Sequence, residues 1–334
     1  MAKTTRLNLQ HIAAPENVGW ALHRACRGKS RNPEVRSLLQ AKDNAIHQIS
    51  DRLKAGQLPV GSFDSFVIHD PKRRVIHAAP LFDRIAHHAL MRLAEPRLEQ
   101  ALLPSVYACR VGKGVHAAVA YAQKQSRRFA WVMHTDIAQY FPSIDHKTLQ
   151  RQLWRRFRGD GCLLIQAVID SYGADKGKGL PIGALTSQHF ANHALSEMDR
   201  WCLAQAGIRG HCRYMDDQLL WAENKQSLCH MQSALAERLQ RTLGLQMKPA
   251  LIQRTAVGIT FCGIKIKPFQ LKASQRRRRR YRLGVARLES QWQRGEIDST
   301  TLQVGYDALH SILLPADESA FRGRFFSQRE LLDA

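Results

Sequence analysis

Acidic residues are scarce in this 334-residue chain: 28 Asp and Glu stand against 50 Lys and Arg, a formal net charge of +22 at pH 7. Solubility needs far less than that, so the imbalance calls for a polyanionic partner. Paired cysteines are missing as well. The seven cysteines (Cys26, Cys109, Cys162, Cys202, Cys212, Cys229, Cys262) are odd in number and scattered, with no Cys-x-x-Cys. That excludes a disulfide framework and a structural zinc, and implies a reduced, cytosolic chain. No apolar run approaches about eighteen residues. The start, Met1-Ala2-Lys3-Thr4-Thr5-Arg6, leads into no apolar signal segment, so neither a membrane partner nor export is expected. Repeats are absent too, and the only biased tract is Arg276 to Arg280. With 44% hydrophobic residues the chain can bury a substantial core divided into two or three subdomains.

What is present begins with helical spacing. Val35, Leu38 and Leu39, then Ile46, Ile49 and Leu53, predict helices that stop at Gly56 and Pro59. Phe63 to Ile76 alternates as a strand, broken at Asp70-Pro71-Lys72-Arg73-Arg74, and predicts a basic hairpin. Helices follow over Phe82 to about Leu102 and His116 to about Gln125. After an apolar strand come a basic helix with Lys147, Arg151, Arg155 and Arg156, a Gly-rich connector from Gly173 to Gly183, and one helix from Ser187 to about Ala206. A helix over Gln226 to Leu243 and a strand pair around Ile252 and Ile259 to Ile266 complete this part. Between Lys272 and Arg287 lie eight basic residues and no acid. Arginines placed all around a helix repel one another unless an anion is present, which points to nucleic-acid phosphates.

Tyr214-Met215-Asp216-Asp217 places two adjacent carboxylates at a tight bend between two apolar strands. Side-by-side carboxylates are costly to bury without a cation, and Mg²⁺ favours one or two carboxylates plus substrate phosphates. A second acidic signature lies upstream, where the strand Trp131-Val132-Met133-His134-Thr135 runs into Asp136, followed by Tyr140-Phe141 and a helix opened by Ser143 or Asp145. Asp145 reads as a helix cap. Carboxylates from separate strands clamping two metals about 4 Å apart are a standard solution for in-line nucleotidyl transfer. The order fits a polymerase palm.

In sequence order come Pro71-Lys72-Arg73-Arg74-Val75-Ile76, Phe82-Asp83-Arg84-Ile85, Ala108-Cys109-Arg110, Asp136 to Asp145, Leu180 to Gln188, Tyr214 to Asp217, and Phe261-Cys262-Gly263. Together they resemble the reverse transcriptases from about Phe63 to Ile266. The resemblance implies an α+β right-hand polymerase: fingers over 1–130, an RRM-like palm with an antiparallel sheet over 131–268 (including a fingers segment at about 146–182), and a basic helical thumb over 269–334. It implies Asp136 and Asp216 as ligands of two Mg²⁺ ions, with Mn²⁺ as a substitute, Asp217 in support and the backbone carbonyl of Ile137 as a further ligand. Lys72 and Arg74 match residues that grip the incoming triphosphate, a task suited to point-charge Lys and bidentate Arg. Arg110 is expected near nucleotide or template. Phe141 matches the aromatic that would clash with a 2′-hydroxyl, and Gly183 and Gln188 flank the nucleotide. Gly263 belongs to a primer-grip turn, and Arg276, Arg277, Arg278, Arg279 and Arg280 to a thumb helix on primer-template phosphates. Ser187 is expected to cap a helix.

Most of the family carry Gln-Gly-x-x-x-Ser-Pro where this chain reads Ile182-Gly183-Ala184-Leu185-Thr186-Ser187-Gln188. That variant resembles the enzymes of diversity-generating retroelements, in the group II intron-like lineage of bacteria and phages. It implies error-prone copying at template adenines, a template-repeat RNA and its cDNA duplex, deoxynucleotide substrates, a small basic accessory protein and a bacterial or phage cytoplasm. Replacing a polar side chain by Ile182 removes a source of discrimination, because apolar contact alone separates substrates by only about 1–3 kcal/mol. A lysine serving as general acid is missing: the aligned position is Leu251, and Lys248 or water takes that role. The rivals are an ordinary group II intron-like or defence-associated reverse transcriptase, an RNA-dependent RNA polymerase disfavoured by Phe141, and a non-catalytic RNA-binding scaffold.

Overall fold

The computed structural model describes residues 4–59, 62–69, 73–173 and 176–327. It is α+β, as expected, with antiparallel sheets and helices in two compact units: Met1–Pro104, Ile137–Trp201 and Ala234–Lys248 form one, and Ser105–Asp136, Cys202–Ser233 and Pro249–Ala334 the other.

In the first unit the helices Pro15–Cys26, Pro33–Gln40 and Lys42–Lys54 accompany the long helix Leu81–Glu99. Proline opens the first two, where its missing N–H costs nothing, and the Asn32 side chain accepts from Val35 N at 3.3 Å. Val18, Ala21, Ile49, Leu53, Ile85, Ala89 and Leu90 are buried, each large aliphatic contributing about 1.5–3 kcal/mol. The expected hairpin is present, with Asp64–Ile68 antiparallel to Arg74–Ala78. One expected helix is two: Leu185–Ala194 ends at Leu195, and Ser196–Ala204 follows. Ser187 therefore lies inside the first turn, buried at 1%, and Ala184 holds the cap position without a side-chain bond. Asp145 does cap a helix, His146–Trp154, accepting from Thr148 N at 2.8 Å.

The second unit is built on a four-stranded antiparallel sheet in the order Ile208–Tyr214, Asp217–Ala222, Trp131–Thr135, Leu251–Arg254. The helix Val115–Arg128 is anchored to it through Ala118, Val119 and Ala122, in one buried cluster with Val132, Cys212, Leu219 and Trp221. Trp221 is fully buried, and its indole N–H donates to Ser126 Oγ at 3.2 Å, so burial leaves no orphaned donor. A second antiparallel sheet, Ile259–Phe261, Ile264–Lys267 and Gln270–Ala273, leads into three helices, Gln275–Gln293, Ser299–Leu313 and Ser319–Ser327. Its third strand lies beyond Pro268, where a change to helix was expected. Tyr281 is buried there and stacks on His310 at 5.7 Å between centroids. No helix among the described residues is long and apolar enough to cross a membrane.

Candidate active site

The acidic bend is a two-residue hairpin turn: Tyr214 pairs with Asp217, and Met215 and Asp216 form the tip. Met215 sits at φ 60, a left-handed conformation that a side chain rarely adopts and that the surroundings must enforce. Arg213 supplies part of that force. It is 1% exposed, and its guanidinium donates to the Met215 carbonyl at 2.7 Å. Its own backbone is fixed by Arg213 N to Ser105 O and Tyr107 N to Arg213 O, both 2.9 Å. A buried arginine thus holds the tip from within, a role that sequence reasoning missed because Arg213 looks like one more basic residue in a basic chain.

Asp136 is the first residue past the Trp131–Thr135 strand, whose end is in register with the start of the Asp217–Ala222 strand through Thr135 and Gln218. Adjacent strands therefore deliver Asp136 and Asp216 to the same end of the sheet. Burial first, then the charge of Asp136, push the Asp216 carboxyl up to about 6, and a hydrogen bond to Asp136 favours its protonated form. Two carboxylates held this close repel one another, and a divalent cation relieves both the repulsion and the desolvation. The pair fits a hard cation with oxygen ligands.

Asp217 is differently engaged. Its Oδ1 lies 2.5 Å from His134 Nε2. His134 is opposite Leu219, and Asp217 is two residues from Leu219 on the same face, a diagonal that a long side chain spans. Among the described residues no three His, Cys, Asp or Glu side chains converge on one cation position. Asp217, next to Asp216 in the chain, is bonded to His134. His134 was not among the expected site residues. Its signal was available: a titratable residue on a largely apolar strand, two positions before Asp136 and hence on the same face.

Other expected residues belong to the first unit. Backbone bonds bring three of their segments together: Leu180 N donates to Phe141 O at 3.0 Å, and His77 N donates to Ile182 O at 2.8 Å. The strand that starts at Arg74 is thus tied to the loop carrying Ile182 and Gly183, and that loop to Phe141. The His77 ring adds Ser65 Oγ and Tyr172 Oη, both at 2.9 Å. Gly183 has φ +118, and a Cβ there would lie 3.0 Å from Ile76 Cγ2 and 3.2 Å from His77 O. Glycine is needed so that the hairpin can close on the loop. Arg74 is exposed, Phe141, Ile182 and Gln188 are half-buried, and Ile137 is buried in a bridge with Met247. Lys72 lies outside the described residues.

In the second unit Arg110 is half-buried and donates to Val106 O at 2.7 Å. Cys262 and Gly263 form the tip between paired Phe261 and Ile264, with φ 49 and 76, the double left-handed geometry of a tight hairpin. A Cβ on Gly263 would come 2.6 Å from Arg277 Nε. The five arginines divide accordingly. Arg277 donates to Ile312 O at 2.7 Å and to Leu314 O and Cys262 O at 2.9 Å, while Arg278 pairs with the buried Glu318 at 2.8 Å. Arg276, Arg279 and Arg280 are exposed.

Residues 70–266 match the model of a protein family described as reverse transcriptase (RNA-dependent DNA polymerase). Protein YkfC of Escherichia coli (strain K12) is 26% identical over 162 residues, 45% of this chain and 42% of that protein. The chain thus spans less than half the length of this curated relative. Among solved structures, apo telomerase from Candida tropicalis is similar with a TM-score of 0.48 at 11% identity, over 64% of this chain and 49% of that one. Telomerase from Candida albicans in complex with the TWJ fragment of telomeric RNA follows with 0.46 at 13% identity, over 68% and 49%.

Proposed function

The chain belongs to the reverse transcriptase family, and from that premise we propose that it is an RNA-directed DNA polymerase, adding deoxynucleotides to a primer 3′-end on an RNA template. The observation that carries this reading is the Asp136–Asp216 pair at the ends of adjacent strands, with the Asp216 proton held up to about 6 by burial and by Asp136. Asp136 and Asp216 would hold Mg²⁺, or Mn²⁺ in its place, with Asp217 and the Ile137 carbonyl in support. Bound there, the metal supplies activation of the 3′-hydroxyl and stabilisation of the pyrophosphate. Arg213 and His134 keep the two aspartates of the bend in position. Arg74, with Lys72, grips the triphosphate; Phe141, Ile182, Gly183 and Gln188 contact the nucleotide. Arg110 and Gly263 meet template and primer, and the exposed Arg276, Arg279 and Arg280 meet duplex phosphates. Fingers, palm and thumb divide at about 130 and 268.

The finer assignment is a mutagenic enzyme of a diversity-generating retroelement, copying a template-repeat RNA in a bacterial or phage cytoplasm with a small basic accessory protein. Ile182 supports it, since an apolar side chain stands where a polar one would read the base pair. Primer extension on RNA with Mg²⁺, followed by sequencing of the product, tests the whole reading. Expected are cDNA with errors concentrated at template adenines and fewer such errors in Ile182→Gln. No extension on RNA refutes the polymerase; uniform, rare errors refute the mutagenic lineage alone.

A further inference from the structure

The residues assigned above leave one basic cavity unexplained. In the first unit a pocket of about 250 Å³ is lined by Thr148, Arg151 and Arg155 of the His146–Trp154 helix and its end, Glu197 of the Ser196–Ala204 helix, and Arg238 of the Lys225–Leu243 helix. Three guanidinium groups face one carboxylate. Glu197 is taken by Arg155 at 3.0 Å, and both side chains are open to solvent, at 51% and 66% exposure. Arg151 donates to the Thr148 hydroxyl at 3.1 Å. Among the described residues neither Arg151 nor Arg238 has a carboxylate partner. Arg238 lies over the Trp201 ring at 4.8 Å, which fixes its plane and leaves its donors at the guanidinium edge.

The surroundings continue the pattern. Lys147, Arg151, Trp154 and Arg155 recur at helical spacing on one exposed face, and Arg241 is exposed one turn after Arg238. The C-terminal dipole of the His146–Trp154 helix favours cations at its end. It does not explain why a second helix adds Arg238 to the same cavity. Guanidinium groups from two helices, one of them held over the Trp201 ring, are elements that bind a phosphodiester, and the exposed Trp154 lies on the same face as Arg151.

We propose that this pocket is a phosphodiester-binding site for RNA, additional to the residues assigned to nucleotide and primer, and that it holds a structured part of the template RNA away from the copied strand. The choice of RNA as the polyanion rests on the polymerase reading; the anion site itself does not.

The test uses the full chain and a fluorescein-labelled RNA hairpin with a single-stranded tail, titrated by fluorescence anisotropy across about 50 to 300 mM KCl. The pocket variant is Arg151→Gln/Arg238→Gln. A control, Arg52→Gln/Lys54→Gln, removes the same charge from another exposed helix. The pocket variant is expected to bind about 10- to 30-fold more weakly, with the salt slope reduced by about 1.4 to 1.8, since each of two phosphate contacts contributes about 0.7 to 0.9. The control should lose less than about threefold. Extension of a short pre-annealed primer-template should persist in both, and matching thermal melts show that both fold. Equal losses in the two variants, or none in the pocket variant, overturn the proposal. So does stronger competition by polyglutamate than by RNA, which would make the partner a protein. A chain that never extends primers but loses hairpin binding in the pocket variant refutes the polymerase reading and leaves the site standing.

Discussion

Replacing His134 by alanine isolates what holds Asp217. The variant deletes one hydrogen bond, His134 Nε2 to Asp217 Oδ1 at 2.5 Å, between side chains 26% and 31% exposed. A bond to a charged group is worth about 1.5–3 kcal/mol, and partial exposure places this one in the lower half of that range. At about 1.4 kcal/mol per decade, that predicts a roughly 10- to 30-fold loss in primer extension or in Mg²⁺ affinity. The assay is steady-state extension across a Mg²⁺ titration, with a thermal melt to show that the fold survives. His134→Gln should recover most of the loss, because its amide nitrogen can donate to the same oxygen. If His134 acts through Asp217, His134→Ala/Asp217→Ala should cost no more than Asp217→Ala alone. His134→Ala within about twofold of the parent at every Mg²⁺ concentration refutes the argument.

Asp216→Asn should reduce extension by at least about 10³-fold with RNA binding retained; an anisotropy titration beside the extension assay checks both. Gly183→Ala forces φ +118 on a side chain and brings its Cβ 3.0 Å from Ile76 Cγ2, so a loss of about 1–3 kcal/mol is expected in chemical denaturation. Asp145→Ala removes the Thr148 N–H cap and should cost about 1 kcal/mol in the same experiment. His87 is lowered to about 4 by burial and by His88, and His193 to about 3 by burial and by Arg156. Folded, they stay neutral while the unfolded chain takes up protons below pH 6.5. Stability present at neutral pH is therefore lost as pH falls from about 6.5 toward 4, by at most about 2.7 kcal/mol per pH unit for two protons. A urea midpoint unchanged between pH 7 and pH 5 contradicts it.

Some of the site was legible because its determinants are local. Asp145 caps its helix through a bond to the residue three positions on. Tyr214 and Asp217 close a hairpin whose flanking strands are bounded in the sequence within a residue or two. The break at Leu195 was not legible, since no proline or glycine marks it; nor was the helix start at Leu185, which makes Ser187 a buried helical residue rather than a cap. Nor could the arginine run be divided by reading it. Arg277 and Arg278 differ from Arg276, Arg279 and Arg280 only in what lies across from them, three backbone carbonyls for one and Glu318 for the other.

Charge balance, strand-end carboxylates and the order of the blocks are properties of the chain as a string. By itself the sequence determined the family and the excess of positive charge, because those rest on residue type and spacing. Only tertiary structure decided which groups face one another. It joined Asp136 to Asp216 across neighbouring strands, gave Asp217 to His134, drew Arg213 under the turn, and set Arg151 and Arg238 in one cavity. Those outcomes depend on strand register and helix packing. Both depend on the burial of apolar residues elsewhere in the chain, such as Val119 and Ala122 in one cluster with Trp221, and those residues are not written beside the functional ones.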